Sequence, residues 1–225
     1  MTVVVLLGAP GAGKGTQADL LAERLGIPHV STGDLFRAAV RDASPIGLEA
    51  RRYMERGQLV PDDITIQMLL DRLTEPDAAG GVILDGFPRN RAQAEALASA
   101  LAEGGSKVDR AINIDVPTDE LVRRLSGRWV CGESGHVYNE STNPPKVPGR
   151  CDLDGSPLVQ REDDKPETIR ARLDQQLASL RDVIGYYDET GLLRSVDGVQ
   201  PIDQVTTALL TAVAEGAASG AHEAR

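Results

Sequence analysis

The feature that most constrains this chain is a glycine-rich segment between a buried strand and a helix. Residues 2–7 form a continuous run of threonine, valine and leucine, which is typical of a strand buried on both faces of a parallel sheet. Residues 8–16 then read Gly-Ala-Pro-Gly-Ala-Gly-Lys-Gly-Thr, and a helix is expected from about Gly13 to Leu25. In this setting, loop N–H groups and the positive end of a helix form a phosphate site.

The loop departs at one position from the phosphate-binding pattern G-x-x-x-x-G-K-[ST]. Lys14 stands where the lysine of that pattern reaches the β- and γ-phosphates. Gly15 replaces the hydroxyl residue that holds Mg²⁺, so the ion is expected to be held mainly by phosphates and water. The expected phosphate-binding residues are Gly11, Ala12, Gly13, Lys14, Gly15 and Thr16.

The rest of the chain alternates strands and helices, which predicts an α/β fold with a parallel sheet covered by helices on both faces. Strands and helices are expected at 81–85, 90–103, 111–116, 118–127 and 193–196, and a long helix is expected from Pro166. Thr118 is the expected N-cap of the helix over 118–127.

Two segments interrupt this alternation. Residues 31–75 are predicted to be all-helical, and residues 128–164 contain short β-like pieces over a length unusual for a loop. We therefore expect one insertion over 31–60 and a small β-rich insertion over 128–164. The core domain is then expected over 1–30, 61–127 and 165–218, with a flexible tail over 219–225.

Composition excludes several classes of function. The chain has 24 Lys and Arg against 34 Asp and Glu, a net charge of −10, so it lacks the basic character of a general nucleic-acid binder. The apolar run over 3–7 is too short for a membrane span, and no basic residue precedes Lys14 as a signal peptide requires. The chain has only two cysteines, which favours a protein of the reducing cytoplasm. We expect neither nucleic-acid nor membrane partners.

Five segments in order make the chain resemble the adenylate kinases, the long-lid nucleoside monophosphate kinases, from Val3 to about Val205. These segments are Gly8–Thr16, Ser31–Arg37, Leu84–Arg89, Asn143–Lys146 and Arg161–Asp164. The resemblance implies a P-loop kinase fold and a monomeric enzyme that converts Mg²⁺-bound ATP and AMP into two ADP. The insertion over 31–60 would bind AMP, and residues 128–164 would form the lid.

The resemblance also implies site residues, because phosphoryl transfer depends on positioning and positive charge. The implied catalytic residues are Lys14, Asp85, Arg89, Arg128, Arg161 and Arg172. AMP would contact Thr32, Arg37, Gln58, Leu59, Val60, Gly86, Phe87, Pro88, Arg89, Gln93, Arg161 and Arg172. ATP would contact the phosphate loop and Arg124, Arg128, Val137, Tyr138 and Gln200, the last through its backbone.

Some of these residues have simpler interpretations. Arg124 equally fits a solvated helix surface, and Gln93, implied to recognise adenine, taken alone fits an exposed helical position. Asp85, implied to hold hydrated Mg²⁺, also fits a turn before Gly86. Asp163 and Asp164 match the family by position only, and they fit either a lid hinge or an acidic surface. No general base is required, because the second pKa of a phosphate is about 6.

Relatives with a long lid often hold zinc there. The corresponding positions here are Cys131, Ser134, Cys151 and Asp154. Serine is a poor zinc ligand, and His136 lies two residues from the expected place, so we expect no metal in this lid.

Three rival functions are weaker. A UMP/CMP kinase usually has a shorter lid. A GTPase switch needs N-K-x-D, whereas the nearest match, Ser106–Asp109, lacks the asparagine. A catalytically inactive relative is disfavoured because Lys14 and the motif arginines are present.

Overall fold

The computed structural model describes residues 1–56 and 58–220. In chain order its helices and strands are β1 (Thr2–Leu7), α1 (Lys14–Leu25), β2 (His29–Ser31), α2 (Thr32–Arg41), α3 (Pro45–Met54), α4 (Asp62–Leu73), β3 (Gly81–Asp85), α5 (Arg91–Glu103), β4 (Arg110–Asp115), α6 (Thr118–Ser126), β5 (Arg128–Cys131), β6 (Val137–Asn139), β7 (Leu158–Val159), α7 (Pro166–Glu189), β8 (Leu193–Asp197) and α8 (Ile202–Gly220). Short 3₁₀ turns precede β3 and α7. None of the described helices has the length and apolar character needed to cross a membrane.

The predicted α/β architecture is confirmed. A five-stranded sheet has the order β2-β3-β1-β4-β8, and every neighbouring pair is parallel. The chain moves from β1 first toward β3 and β2, and later to β4 and β8 on the other side. The strand order therefore reverses at β1, and in such sheets ligands bind beyond the carboxyl ends of the strands at this point.

Strand β1 organises the core because its side chains alternate between two apolar clusters. Val4 and Leu6 pack on the face covered by α1, α6 and α8, where Leu21 is fully buried. Val5 packs on the opposite face with Leu97 of α5, and α4 and α7 cover the same face. Burial on both faces explains why this strand is an unbroken apolar run rather than an alternating one.

Most predicted elements are confirmed, with two exceptions. β2 was not predicted, because three residues are too few to show a pattern. Helix α6 begins at Thr118, as expected, but its N-cap is Pro117 and Thr118 is already helical, so the predicted cap is wrong.

The first interrupting segment is mainly helical and the second is β-rich, as predicted. Residues 31–75 contain α2, α3 and α4, and the segment over 128–164 contains a three-stranded antiparallel sheet of order β6-β5-β7. Helix α8 extends to Gly220, and residues 221–225 of the expected tail lie outside the described residues. The division of the chain into core, insertion and lid stays a prediction.

Gly47 allows α2 and α3 to pack backbone against backbone. A Cβ atom at Gly47 would lie 2.0 Å from the carbonyl oxygen of Ala39. We expect Gly47→Ala to force the helices apart and to lower the free energy of unfolding by about 1–3 kcal/mol, measured by urea unfolding. Gly185→Ala in α7 is the control, because its Cβ meets no atom within 4 Å. That change should raise stability by about 0.5–1 kcal/mol, and equal stability of the two variants would contradict the prediction.

Candidate active site

The phosphate loop joins β1 to α1 at the carboxyl edge of the sheet. Gly8, Gly11 and Gly13 have φ angles of 145°, 85° and 95°, which favour glycine. A Cβ on Gly8 would lie 2.9 Å from the carbonyl oxygen of Ile114, and one on Gly11 would lie 3.0 Å from the Leu125 side chain. Gly13 also caps α1 without a side chain, so the first N–H groups of α1 have no side-chain cap and can bind an anion.

Lys14 and Asp85 face each other beside this loop. Lys14 Nζ donates to the carbonyl oxygens of Gly8 at 3.0 Å and Ala9 at 3.2 Å, and lies 4.0 Å from Asp85 Oδ1. A Cβ on Gly15 would lie 3.6 Å from Asp85 Oδ2, so the carboxylate is next to the residue that lacks the usual hydroxyl. Burial, reinforced by nearby arginines, lowers the pKa of Lys14 to about 8.

His29 is a partner of Asp85 that sequence reasoning missed. Its Nε2 lies 3.6 Å from Asp85 Oδ2, and its Nδ1 lies 2.7 Å from Asp19 Oδ1. Burial lowers the pKa of His29, but the two carboxylates outweigh burial and raise that pKa to about 9. Burial likewise raises the pKa of Asp85, but His29 and Lys14 bring it below its ordinary value. Asp85 is therefore held in its ionised form.

A cleft that is partly open to solvent lies between α2, α3 and the core. Eight of the predicted AMP residues line it: Thr32, Arg37, Gln58, Leu59, Val60, Arg89, Gln93 and Arg172. Sequence reasoning missed six other residues of its wall: Gly33, Phe36, Met54, Thr65, Asp163 and Gln176.

The segment Gly86–Pro88 borders this cleft without lining it. The Gly86 carbonyl oxygen accepts hydrogen bonds from Thr32 Oγ1 at 2.9 Å and from Arg89 Nε at 2.6 Å. The Phe87 side chain is buried in the core against the sheet, and the Phe87–Pro88 peptide bond is cis. The segment therefore orients Thr32 and Arg89, and the ring of Phe87 does not face the cleft.

Gln93 is buried, with 1% of its surface exposed, so the exposed-helix interpretation is wrong. Its Oε1 accepts a hydrogen bond from the backbone N–H of Arg89 at 2.7 Å. Its Nε2 donates to Asp62 Oδ1 at 2.7 Å. Gln93 thus forms part of a fixed polar wall of the cleft.

Two arginines from different elements converge on Asp164. Arg128 Nε of β5 donates to Asp164 Oδ2 at 2.6 Å, and Arg172 Nη1 of α7 donates to Asp164 Oδ1 at 2.9 Å. Arg172 Nη1 also lies 2.9 Å from Asp163 Oδ2. Asp164 is completely buried, so the acidic-surface interpretation is wrong for this residue.

The remaining motif arginines lie close to like charges. Arg161 Nε is buried without a hydrogen-bond partner within the described residues. Burial and neighbouring arginines lower the pKa of Arg161 to about 9 and that of Arg89 to about 10. Arg37 instead forms an ion pair with Asp34 at 2.6 Å. An anion bound between these side chains would relieve both the repulsion and the unmet hydrogen bond.

Arg124 connects three segments. It donates to the carbonyl oxygen of Gly198 at 2.9 Å, to that of Ala12 at 3.5 Å and to Glu120 at 2.7 Å. Its side chain is only 18% exposed, so the solvated-surface interpretation is wrong. Arg124 holds the loop after β8 next to the phosphate loop.

Comparison with known proteins decides the family. The adenylate kinase family model matches residues 6–192. The adenylate kinase of Listeria innocua is 49% identical over 202 residues, covering 90% of this chain and 94% of that protein. The enzyme of Thermodesulfovibrio yellowstonii is 52% identical with the same coverage. That of Carboxydothermus hydrogenoformans is 49% identical over 210 residues, covering 93% of this chain and 98% of that protein.

The chain belongs to the adenylate kinase family. It is therefore a P-loop kinase, a phosphotransferase that converts ATP and AMP into two ADP. The resemblance inferred from the five sequence segments is confirmed.

The residues expected near the adenine of ATP lie on two parts of this adenylate kinase. Val137 is exposed, whereas Tyr138 is buried within the segment over 128–164. The Tyr138 hydroxyl and Cys151 Sγ form a hydrogen bond of 3.4 Å in which either group can be the donor. The ring of Tyr138 is thus enclosed in a small apolar cluster with Cys131 and Cys151. Gln200 Nε2 donates to Asp197 at 2.8 Å, so that side chain serves its own loop.

The segment over 128–164, the predicted lid, contains a compact polar cluster. The ligand atoms of Cys131, His136, Cys151 and Asp154 all lie within 4.8 Å of one another. Ser134 Oγ is bonded to Cys131 Sγ at 3.1 Å, to His136 Nδ1 at 2.7 Å and to Asp154. His136 lies two residues from the expected place in the sequence, but the fold brings its side chain into the cluster. The expectation of a metal-free lid stays a prediction.

Asp164 is the shared carboxylate partner of the Arg128 and Arg172 guanidinium groups. We expect Asp164→Asn to lower the free energy of unfolding by about 3 kcal/mol, because the buried arginines lose their shared counter-charge. Urea unfolding followed by circular dichroism measures this change. Glu162→Gln, in the same turn but exposed, is the control and should change stability by less than about 1 kcal/mol. Similar losses in both variants would show that the buried pairing is not what stabilises this region.

Proposed function

We propose a division of the adenylate kinase reaction among the residues of this cleft. The observation that carries it is the convergence of basic side chains on a single carboxyl edge of the sheet, next to an open phosphate loop. These side chains are Lys14, Arg37, Arg89, Arg128, Arg161 and Arg172. The carboxylates among them leave the group net positive, as two polyanionic nucleotides require.

On the donor side, the phosphate loop binds the β- and γ-phosphates of ATP. Support comes from the left-handed glycines, the uncapped start of α1 and the buried ammonium group of Lys14. Arg128 binds the triphosphate from the lid. Arg124 and the backbone of Gln200 form the adenine side, together with the backbone of Val137 and Tyr138.

On the acceptor side, AMP binds in the cleft between α2, α3 and the core. Arg37 and Arg89 hold its phosphate in bidentate fashion. Gln93 and Thr32 contact the base, and the segment over 58–60 closes the pocket beneath it. The segment Gly86–Pro88 supports these contacts through the hydrogen bonds of the Gly86 carbonyl oxygen.

In the chemical step an oxygen of the AMP phosphate attacks the γ-phosphorus of ATP. The bond from that phosphorus to the β-phosphate oxygen breaks, and both products are ADP. Arg161 and Arg172 stabilise the charge that develops on the transferred group. Arg172 and Arg128 must first exchange contacts with Asp163 and Asp164 for contacts with phosphate. The attacking oxygen is already ionised near neutral pH, so no base is needed.

Asp85 fits a role in holding Mg²⁺. It supplies a hard oxygen ligand, is kept ionised by Lys14 and His29, and lies beside Gly15, where the hydroxyl ligand of related loops is missing. Magnesium bound there would neutralise charge on the β- and γ-phosphates of ATP. Asp85 would be its protein ligand, and phosphates and water would supply its other ligands.

Closure of the insertion over 31–60 and the lid over 128–164 then excludes water from the transferred group. Exclusion of water favours transfer to AMP over hydrolysis of ATP.

The acceptor specificity can be tested directly. ADP formation from Mg²⁺-bound ATP should be rapid with AMP and much slower with GMP, CMP or UMP, because the buried polar wall at Gln93 is matched to one base. ATP alone should give negligible hydrolysis. A preference for a pyrimidine acceptor would leave the arginine roles in place but contradict Thr32 and Gln93 as base contacts.

Arg89 provides a test of the acceptor assignment. Arg89→Ala should lower kcat by about 10²–10³-fold, because a charge that binds the acceptor phosphate is lost. The Kd for ATP, measured by calorimetry, should stay within about twofold. Arg91→Ala is the control, since Arg91 is exposed and paired with Glu189 on the surface. An equal loss of ATP affinity in Arg89→Ala would overturn the assignment.

A further inference from the structure

A polar network behind the acceptor cleft joins the start of α4 to the start of α5. Asn90 Nδ2 donates to both carboxylate oxygens of Asp62 at 2.9 Å, and Gln93 Nε2 donates to Asp62 Oδ1 at 2.7 Å. Asn90 Oδ1 accepts from the N–H of Gln93 at 2.9 Å, and Gln93 Oε1 accepts from the N–H of Arg89 at 2.7 Å. Asp62 therefore bonds directly to the side chains of Asn90 and Gln93, and through Gln93 it is connected to the backbone of Arg89.

The chemistry of these groups fixes the direction of each amide. An ionised carboxylate only accepts hydrogen bonds, so the amide nitrogens of Asn90 and Gln93 must both face Asp62. The oxygen of Gln93 then faces the N–H of Arg89, which only donates. Rotating the Gln93 amide by 180° would break both bonds and would place an amide oxygen against the carboxylate.

We propose that Asp62 is a positioning residue that sets base selectivity by holding the Gln93 amide in one orientation. This inference rests on the proposed contact between Gln93 and the acceptor base. With one N–H bonded to Asp62, the Gln93 nitrogen keeps a second N–H for the cleft. N1 of adenine accepts a hydrogen bond, whereas N1 of guanine carries a hydrogen. An amide fixed with its N–H toward the base therefore favours adenine.

Two acidic residues occupy the first turn of α4. The second of them allows the proposed role of Asp62 to be distinguished from a general effect of negative charge. Both Asp62 and Asp63 lie where negative charge stabilises a helix N-terminus. Asp63 is exposed, and within the described part of the chain it has no hydrogen-bond or ion-pair partner. Asp63→Asn thus removes the same charge from the same turn and leaves Gln93 fixed.

The test compares Asp62→Asn with Asp63→Asn. In Asp62→Asn the new side chain can meet either end of the Gln93 amide, so the amide is no longer fixed. We expect KM for AMP to rise about tenfold and the AMP-to-GMP ratio of kcat/KM to fall about tenfold, while KM for ATP changes less than twofold. Asp63→Asn should match the wild type in all three quantities.

A double-mutant cycle shows whether Asp62 acts through Gln93. In a Gln93→Ala background, Asp62→Asn should change KM for AMP by less than twofold, because its target is gone. A persistent tenfold effect there, or an equal rise of KM for ATP, would overturn the proposal in favour of a role in the folding of α4.

A third measurement needs no change at Asp62. The Gln93 side-chain amide protons, assigned in the NMR spectrum by their loss in Gln93→Ala, should exchange with solvent at least tenfold more slowly than a free amide. Exchange at the free rate would overturn the proposal. Failure of the proposed function is distinguishable, since the wild type itself would then show no preference for AMP over GMP.

Discussion

The constraint on which the rest of the structure depends is the packing of like charges at one end of a sheet. Burial and neighbouring guanidinium groups lower the pKa values of Lys14, Arg89 and Arg161. Such an arrangement is unfavourable without an anion, so the scaffold must be stable enough to impose it. The two apolar clusters on either face of β1 supply that stability. The basic side chains belong to separate helices, strands and loops, and the two clusters hold the backbones of these elements in place.

Carboxylates form ion pairs with several of these basic side chains. Asp164 holds Arg128 of the lid next to Arg172 of α7, and Asp34 holds Arg37 on the insertion. Phosphate oxygens offer the same bidentate geometry as these carboxylates. In the proposed mechanism, phosphate oxygens of the nucleotides replace these carboxylates as partners of the arginines. Asp85 differs, because two cations keep it ionised at the edge of the phosphate loop.

Much of this architecture was predictable because it depends on local pattern. The β1 run, the glycine loop and the spacing of later strands gave correct element types. The break in the alternation also predicted the helical character of residues 31–75 and the β-rich character of residues 128–164. The failures are tertiary. His29 lies on a strand too short to show a period, and it meets Asp85 only because β2 pairs with β3. Arg124 and Gln93 fit a surface helix pattern, yet neighbouring segments cover them.

The sequence by itself determined the family, the reaction and the residue types available for it, because the phosphate loop and the arginine motifs are contiguous and chemically specific. Only the tertiary structure decided which carboxylate faces which arginine. It also decided that His136 lies beside Cys131 and Cys151, and that Asp62 accepts a hydrogen bond from the amide of Gln93. These contacts join residues on separate elements, and they follow from how the elements pack, which no local pattern records. The order of residues along the chain fixes the chemistry, and packing fixes its geometry.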